Sequence, residues 1–196
     1  MGLEFEYTNG QTPIDEVEKG GLKIKSISTL GELDAFEQQN IEEAIQWTLK
    51  NTFTIETVLS EKFINLVHKK MFGHVWRWAG NYRQTNKNIG VQFYMISQQL
   101  RVHIDNCLYW FEHNTFAPDE IAIRFKHGLV AIHLYPNGNG RHSRLMGDLL
   151  IEAFERRIFT WGSQTIRKER SRKMYISALK EADRGDFQKL IAFARQ

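Results

Sequence analysis

From Leu30 onward the apolar positions fall into helical spacing. Leu33, Phe36, Ile41, Ala44, Ile45 and Trp47 share one side of the chain and Glu42 and Glu43 the other, which predicts an amphipathic helix. A second stripe, Phe63, Leu66, Val67 and Met71, is opened by Ser60 as N-cap and closed at Gly73. Residues 97–113 form a third, with Leu100, Ile104, Cys107, Leu108 and Phe111 on a common face. Pro118-Asp119-Glu120 opens a fourth, since proline suits a first turn and acids complement the dipole there. Ile121, Phe125, Leu129 and Ile132 carry that helix to His133. The next begins at Asn139 or Gly140 and sends Leu145, Met146, Leu149, Leu150 and Ala153 inward; two more, near 167–182 and 186–194, flank Gly185.

Two stretches break this rhythm. Residues 1–28 contain Gly10, Pro13, Gly20 and Gly21 without a sustained period and read as an arm preceding a single helical domain at 29–196. The segment HVWRWAGNYRQTNKNIGVQF is irregular, and Trp76 and Trp78 are too apolar to leave in water, so they anchor it to the core or wall a base-binding pocket. At its end Ile89, Val91, Phe93 and Tyr94 are strand formers around Gly90, which predicts a short β-hairpin.

Composition narrows the picture modestly. With 196 residues, 42% of them hydrophobic and 25% charged, the chain has enough apolar material for one core. A net charge of +3 favours anionic ligands without pointing to nucleic acid. The basic run at 167–173 lacks interleaved aromatics and reads as a solvated helix face, so direct nucleic-acid binding is not expected. The single cysteine, Cys107, excludes an internal disulfide and a cysteine metal cluster. The amino terminus lacks the basic-then-apolar order of a secretory signal, and no apolar run approaches the ~20 residues of a membrane span. A cytoplasmic protein is expected.

The chemistry concentrates in His133-Leu134-Tyr135-Pro136-Asn137-Gly138-Asn139-Gly140-Arg141-His142-Ser143-Arg144. A glycine loop directly before a helix start presents unpaired backbone N–H groups and the positive end of the dipole to phosphate. Arg141 and Arg144 are i and i+3, and both can clasp phosphate oxygens. A neutral His133 in front of that loop is placed to take a proton from a hydroxyl. The same residues also make an ordinary tight turn; neither a P-loop nor GxGxxG is present. No histidine pair has the spacing of a zinc site.

This stretch resembles the Fic (filamentation induced by cAMP) signature, H-x-F-x-[D/E]-G-N-G-R-x-x-R, with Tyr135 in place of phenylalanine and Asn137 in place of the acid. FEQQNIEEA, LVHKKMFGHVWRWAGNYR, KNIGV and YISALKEADRGDFQKLIAFA are similar to the branch called mobile mystery protein B. The resemblance implies an all-α Fic-type domain with a short β-hairpin flap, moving AMP from ATP to a hydroxyl side chain of a target protein. It gives His133 the role of general base, and Gly138, Asn139 and Gly140 that of an anion hole. Arg141 would hold the bridging phosphates and Arg144 the terminal phosphate of departing pyrophosphate. Lys87, Asn88, Ile89, Gly90 and Val91 would form the flap that pairs with the target.

Asn137 departs from the pattern where an acid holds Mg²⁺, so a weak metal contact is expected there, with most ligands coming from nucleotide phosphates and water. Asp148, four residues after Arg144, is expected to pair with it. The family's inhibitory [S/T]-x-x-x-E-[G/N] pattern is absent, so control would come from a separate partner, by resemblance a small helix-turn-helix protein like mobile mystery protein A. The alternatives are phosphate transfer by the same fold, as in the death-on-curing branch, and a nucleotide-sensing or vestigial module working through a partner.

Overall fold

A computed structural model describes residues 16–162 and 168–196 of the chain, with side chains at 18–162 and 173–196. The first fifteen residues of the expected arm, and the side chains at 167–172 of the basic run, lie outside the described residues. The described helices are α1 (Glu16–Lys19), α2 (Leu30–Leu49), α3 (Ile55–Val58), α4 (Glu61–Phe72), α5 (Ile96–Glu112), α6 (Pro118–Ile132), α7 (Asn139–Ala153), α8 (Lys168–Ala182) and α9 (Gln188–Arg195), with a 3₁₀ turn at Phe93–Met95.

Local chemistry fixes the starts of the early helices. Thr29 caps α2 by accepting from the Glu32 N–H at 3.2 Å, and the Glu32 carboxylate returns to the Thr29 N–H at 3.0 Å. Thr54 and Ser60 cap α3 and α4 in the simpler one-way manner, at 3.2 and 3.3 Å.

Tertiary packing is centred on α6 and α7, which pack against each other across the loop at 133–138; α5 lies on α6, and α4 bridges α2 to α7. Phe125, Leu129, Met146 and Leu150 are buried between them. Each such side chain contributes about 1.5–3 kcal/mol. At Gly147 the two helices come close, since an added Cβ would lie 3.2 Å from the Lys126 Cβ. Trp76 is buried in the core and stacks on Trp78 at 4.7 Å, so the tryptophans anchor their irregular segment.

The expected hairpin at 88–95 is corrected: residues 83–92 form a bent loop with no strand, followed by the 3₁₀ turn. The physical reason is Arg83, which is fully buried. Its Nε donates to the His133 carbonyl at 2.6 Å, its Nη1 to Thr85 at 2.8 Å, and its Nη2 to Val91 and Ile132. One guanidinium thus satisfies carbonyls that a second strand would otherwise have served. Extended pairing occurs instead at Leu22 and Trp76, where the Lys23 N–H donates to Val75 and the Arg77 N–H to Gly21, each at 2.8 Å.

Candidate active site

The α6–α7 loop is held from both sides. α6 ends at His133, whose left-handed φ of 59° turns the chain sharply while its N–H still donates to Leu129 at 3.2 Å. Asn139 then clamps Tyr135, accepting from its N–H at 2.9 Å and donating to its carbonyl at 2.7 Å. The Tyr135 hydroxyl donates to Asn65 at 2.7 Å, Asn65 donates to the Tyr82 hydroxyl at 3.3 Å, and Tyr82 donates to Glu61 at 2.8 Å.

Beneath the loop lies His68. Its Nδ1 accepts from the Gly80 N–H at 3.0 Å, so in the neutral ring Nε2 carries the proton and donates to the Asn137 carbonyl at 3.1 Å. Burial holds it neutral, with its pKa well below the usual value, and its ring stacks on Tyr135 at 3.6 Å. His142 is also buried and neutral, its pKa pushed down to about 4 by burial, and it meets the Ile64 carbonyl at 3.0 Å. Both support the loop from inside.

Gly138 adopts a φ of 79°, and a Cβ there would come within 2.5 Å of the Phe72 ring. Phe72 is therefore the floor of the turn. α7 begins at once, with no side-chain cap on its amino terminus. The Gly138 N–H is taken at 2.6 Å by the Asn137 side-chain oxygen, while at Gly140 an added Cβ would meet nothing within 4 Å. The first turn of α7 is thus uncapped and open on its Gly140 side, an arrangement that suits phosphate.

The two arginines differ in their surroundings. Arg141 donates from Nη2 to Glu37 at 2.6 Å and lies 5.0 Å over the Phe72 ring. Arg144 faces the Tyr175 ring at 5.7 Å, and no carboxylate lies within ion-pair distance of it among the described residues. The expected Arg144–Asp148 pair does not form, because both Asp148 oxygens accept from the Trp161 indole at 2.9 and 3.1 Å. Burial raises the Asp148 pKa to about 7. Next to Arg144, the buried Lys126 amine donates to the Tyr175 hydroxyl, and its pKa is lowered to about 7, first by burial and then by the Arg144 charge.

His133 itself is 3% exposed. Burial, then the charges of Arg83 and Lys87, lower its pKa to about 4, so the imidazole is neutral at physiological pH. Gly90 lies directly on it: a Cβ at Gly90 would be 2.5 Å from the His133 Cβ. The Val91 N–H donates to Ile132 at 3.3 Å, and Lys87 forms a nearly buried 2.5 Å pair with Glu18. Asn88 and Ile89 are exposed at the tip of the same loop. The structure therefore gathers His133, residues 137–141 and residues 87–91 into one region, with Arg144 one turn further along α7.

Glu37, Phe72, Arg83, His68 and Tyr175 are the residues sequence reasoning missed here. Only Glu37 left a signal, as a charged residue at the buried i+4 step between Leu33 and Ile41. No group of three or more His, Cys, Asp or Glu that could hold a metal is found among the described residues. The donor set accordingly suits Mg²⁺ only as an ion ligated mainly by phosphates and water, with the Asn137 amide oxygen at most an additional ligand.

Comparison with known proteins gives the same fold. Residues 58–151 match the family model described as Fic/DOC. BepC, a VirB-translocated effector from Bartonella tribocorum solved with bound AMPPNP, superposes with a TM-score of 0.67 at 16% identity, covering 92% of this chain and 97% of that one. The Fic domain of an effector from Bartonella sp. AR 15-3 gives 0.67 at 16% identity, over 86% and 83% of the two chains. A part of Fic-1 from C. elegans gives 0.62 at 21% identity over 80% of this chain, which spans only 45% of that Fic-1 chain. Residues 58–151, which hold the α6–α7 loop and both arginines, thus match the Fic/DOC family model within a Fic-type fold.

Proposed function

We propose that the protein is an adenylyltransferase that moves AMP from ATP to a hydroxyl side chain of a target protein. The observation that carries this reading is the placement of a neutral, buried His133 at the end of α6, one short loop before the uncapped amino terminus of α7 with its two arginines. The AMPPNP held by the structurally similar BepC supports ATP as the nucleotide.

In this reaction His133 accepts the proton of the target hydroxyl as its oxygen attacks the α-phosphorus. The bond from that phosphorus to the α,β-bridging oxygen breaks, and pyrophosphate leaves. The backbone N–H groups of Gly138, Asn139 and Gly140 face the phosphates, with the Gly138 N–H becoming available once the Asn137 side chain turns away. Arg141 holds the bridging phosphates and Arg144 the terminal one, both stabilising charge that grows on the leaving group. Mg²⁺ accompanying ATP supplies further neutralisation of that charge. Residues 87–91 dock an extended stretch of the target beside His133.

The division into an arm at 1–28 and a domain at 29–196 is also ours, as is a cytoplasmic setting, which accords with a single buried cysteine. Among the described residues no helix is long and apolar enough to cross a membrane. Similarity to mobile mystery protein B suggests a separate helix-turn-helix partner.

ATP labelled on the α-phosphorus, incubated with wild type and cell lysate, is expected to label a protein; His133→Ala abolishes that label. Equal labelling by both proteins contradicts the reading. A nucleotide-sensing module is the second reading, favoured by the Asn137 oxygen being turned onto the Gly138 N–H and bringing no charge to a metal; binding of ATP without any labelled product would select it.

A further inference from the structure

Glu37 is a carboxylate with almost no solvent, 1% exposed on the inner face of α2. One oxygen accepts from the Trp76 indole at 2.6 Å and the other from Arg141 Nη2 at 2.6 Å. A buried charge persists only when paired and hydrogen-bonded, and these two donors meet that requirement. One turn along α2, Asn40 donates to the Lys70 carbonyl at 2.8 Å and accepts from the His74 N–H at 2.9 Å. The carboxylate is therefore held by the Trp76 indole independently of the arginine, on a helix that Asn40 anchors beside it.

We infer that Glu37 is the positioning residue of Arg141, holding its guanidinium by one nitrogen so that its remaining donors face the phosphate cradle. The inference rests on the reading of the α7 amino terminus as a nucleotide phosphate site. Three features support positioning over competition with phosphate. The carboxylate touches Nη2 alone, which leaves the Nε edge and Nη1 unengaged among the described residues. Phe72, which lies under Arg141 at 5.0 Å, is the same ring that sets the floor beneath Gly138, so the guanidinium and the glycine turn are aligned on one surface. The Arg141 side chain remains 33% exposed while the Glu37 side chain is 2% exposed, so a ligand reaches the arginine and not the acid. An unrestrained arginine would have to be ordered by each nucleotide as it bound; Glu37 orders it beforehand.

Calorimetry of ATP with Mg²⁺ provides the test, with wild type, E37Q, R141M and E37Q/R141M, and with R144A and E37Q/R144A for comparison. Tripolyphosphate serves as a second ligand lacking the nucleoside. E37Q keeps the shape of the side chain and is expected to weaken both ligands about tenfold, a coupling of ordinary size for residues in contact. In the R141M background E37Q is expected to cost nothing further, whereas in R144A it costs its full factor. E37D, which keeps the charge and shortens the reach, is expected to weaken binding in the same sense, and covers the case in which R141M fails to fold. Unchanged affinity in E37Q, or an equal penalty in R141M and R144A, overturns the inference alone. Wild type that binds neither ATP nor tripolyphosphate overturns it together with the reading of the phosphate site.

Discussion

The side-chain amide of Asn139 holds both backbone groups of Tyr135, accepting from the N–H at 2.9 Å and donating to the carbonyl at 2.7 Å. The first residue of α7 is thereby tied to the middle of the loop that precedes it. Asn139 faces inward at 5% exposure, so its side chain shapes the loop and only its backbone is available to a phosphate. Asn139→Ala strips two buried backbone groups of their partners, and thermal or urea unfolding is expected to show a loss of about 2–4 kcal/mol. Asn139→Asp keeps the acceptor and loses the donor, so it is expected to fall between the two. An Asn139→Ala protein as stable as wild type would refute the clamp.

Gly138 is constrained twice, by its positive φ and by the Phe72 ring 2.5 Å from where a Cβ would lie. Gly138→Ala is expected to cost about 1–3 kcal/mol from conformation and crowding together. Phe72→Leu in the same chain should recover part of that loss in a double-mutant cycle, because it removes the crowding and leaves the conformational cost. Purely additive effects would show that the ring is not the obstacle.

Arg83 ties the loop at 83–91 to the His133 and Ile132 carbonyls through its guanidinium. Arg83→Lys keeps the charge but cannot reach several carbonyls at once. Hydrogen exchange at the backbone of residues 84–91 is expected to speed up markedly, with exchange in α6 and α7 changed far less. Unaltered exchange in that loop would mean that the loop is held by other contacts.

His133 titrates at about 4 in the folded chain against an ordinary 6.5. The unfolded chain therefore binds the proton first as pH falls, so the folded state loses stability from about 6.5 down to about 4 and no further below that. His142, also near 4, acts in the same direction, whereas Asp148, raised to about 7, opposes both by favouring the fold as pH falls through that range. His133→Asn, which tolerates the left-handed turn, removes one contribution of up to roughly 3 kcal/mol. Unfolding midpoints measured at pH 7 and pH 4.5 are expected to differ less in this variant than in wild type. An equal difference would show that His133 is not buried as a neutral ring.

The helices were legible because their apolar stripes and caps are local: Thr29 aside, the signals at Ser60, Pro118 and the 139–140 start all mark observed boundaries. The short α3 lacks a stripe of its own and depends on the Thr54 cap, so periodicity could not reveal it. The hairpin expectation failed because Ile89 and Val91 express strand propensity only if a partner strand is present, and Arg83 had already taken its place. The loop from His133 to Arg144 was readable as a site from residue types alone. Its supports were not, since Phe72 and His68 come from α4, far away in sequence, and only their burial against the loop gives them a role, while Glu37 of α2 showed only as a charge at a buried step. Asp148 was misread for the opposite reason: helical spacing favours Arg144, but the distant Trp161 indole competes for both oxygens.

The proposed reaction transfers AMP with His133 as base. Its most direct measurement is intact mass of a labelled target after incubation with ATP, Mg²⁺ and wild type, His133→Ala or Arg144→Ala. A target carrying the mass of one adenylyl group is expected with wild type, none with His133→Ala, and a rate lowered by about 10²-fold or more with Arg144→Ala. A target carrying only a phosphate, or the adenylyl mass at equal rate with His133→Ala, would contradict it.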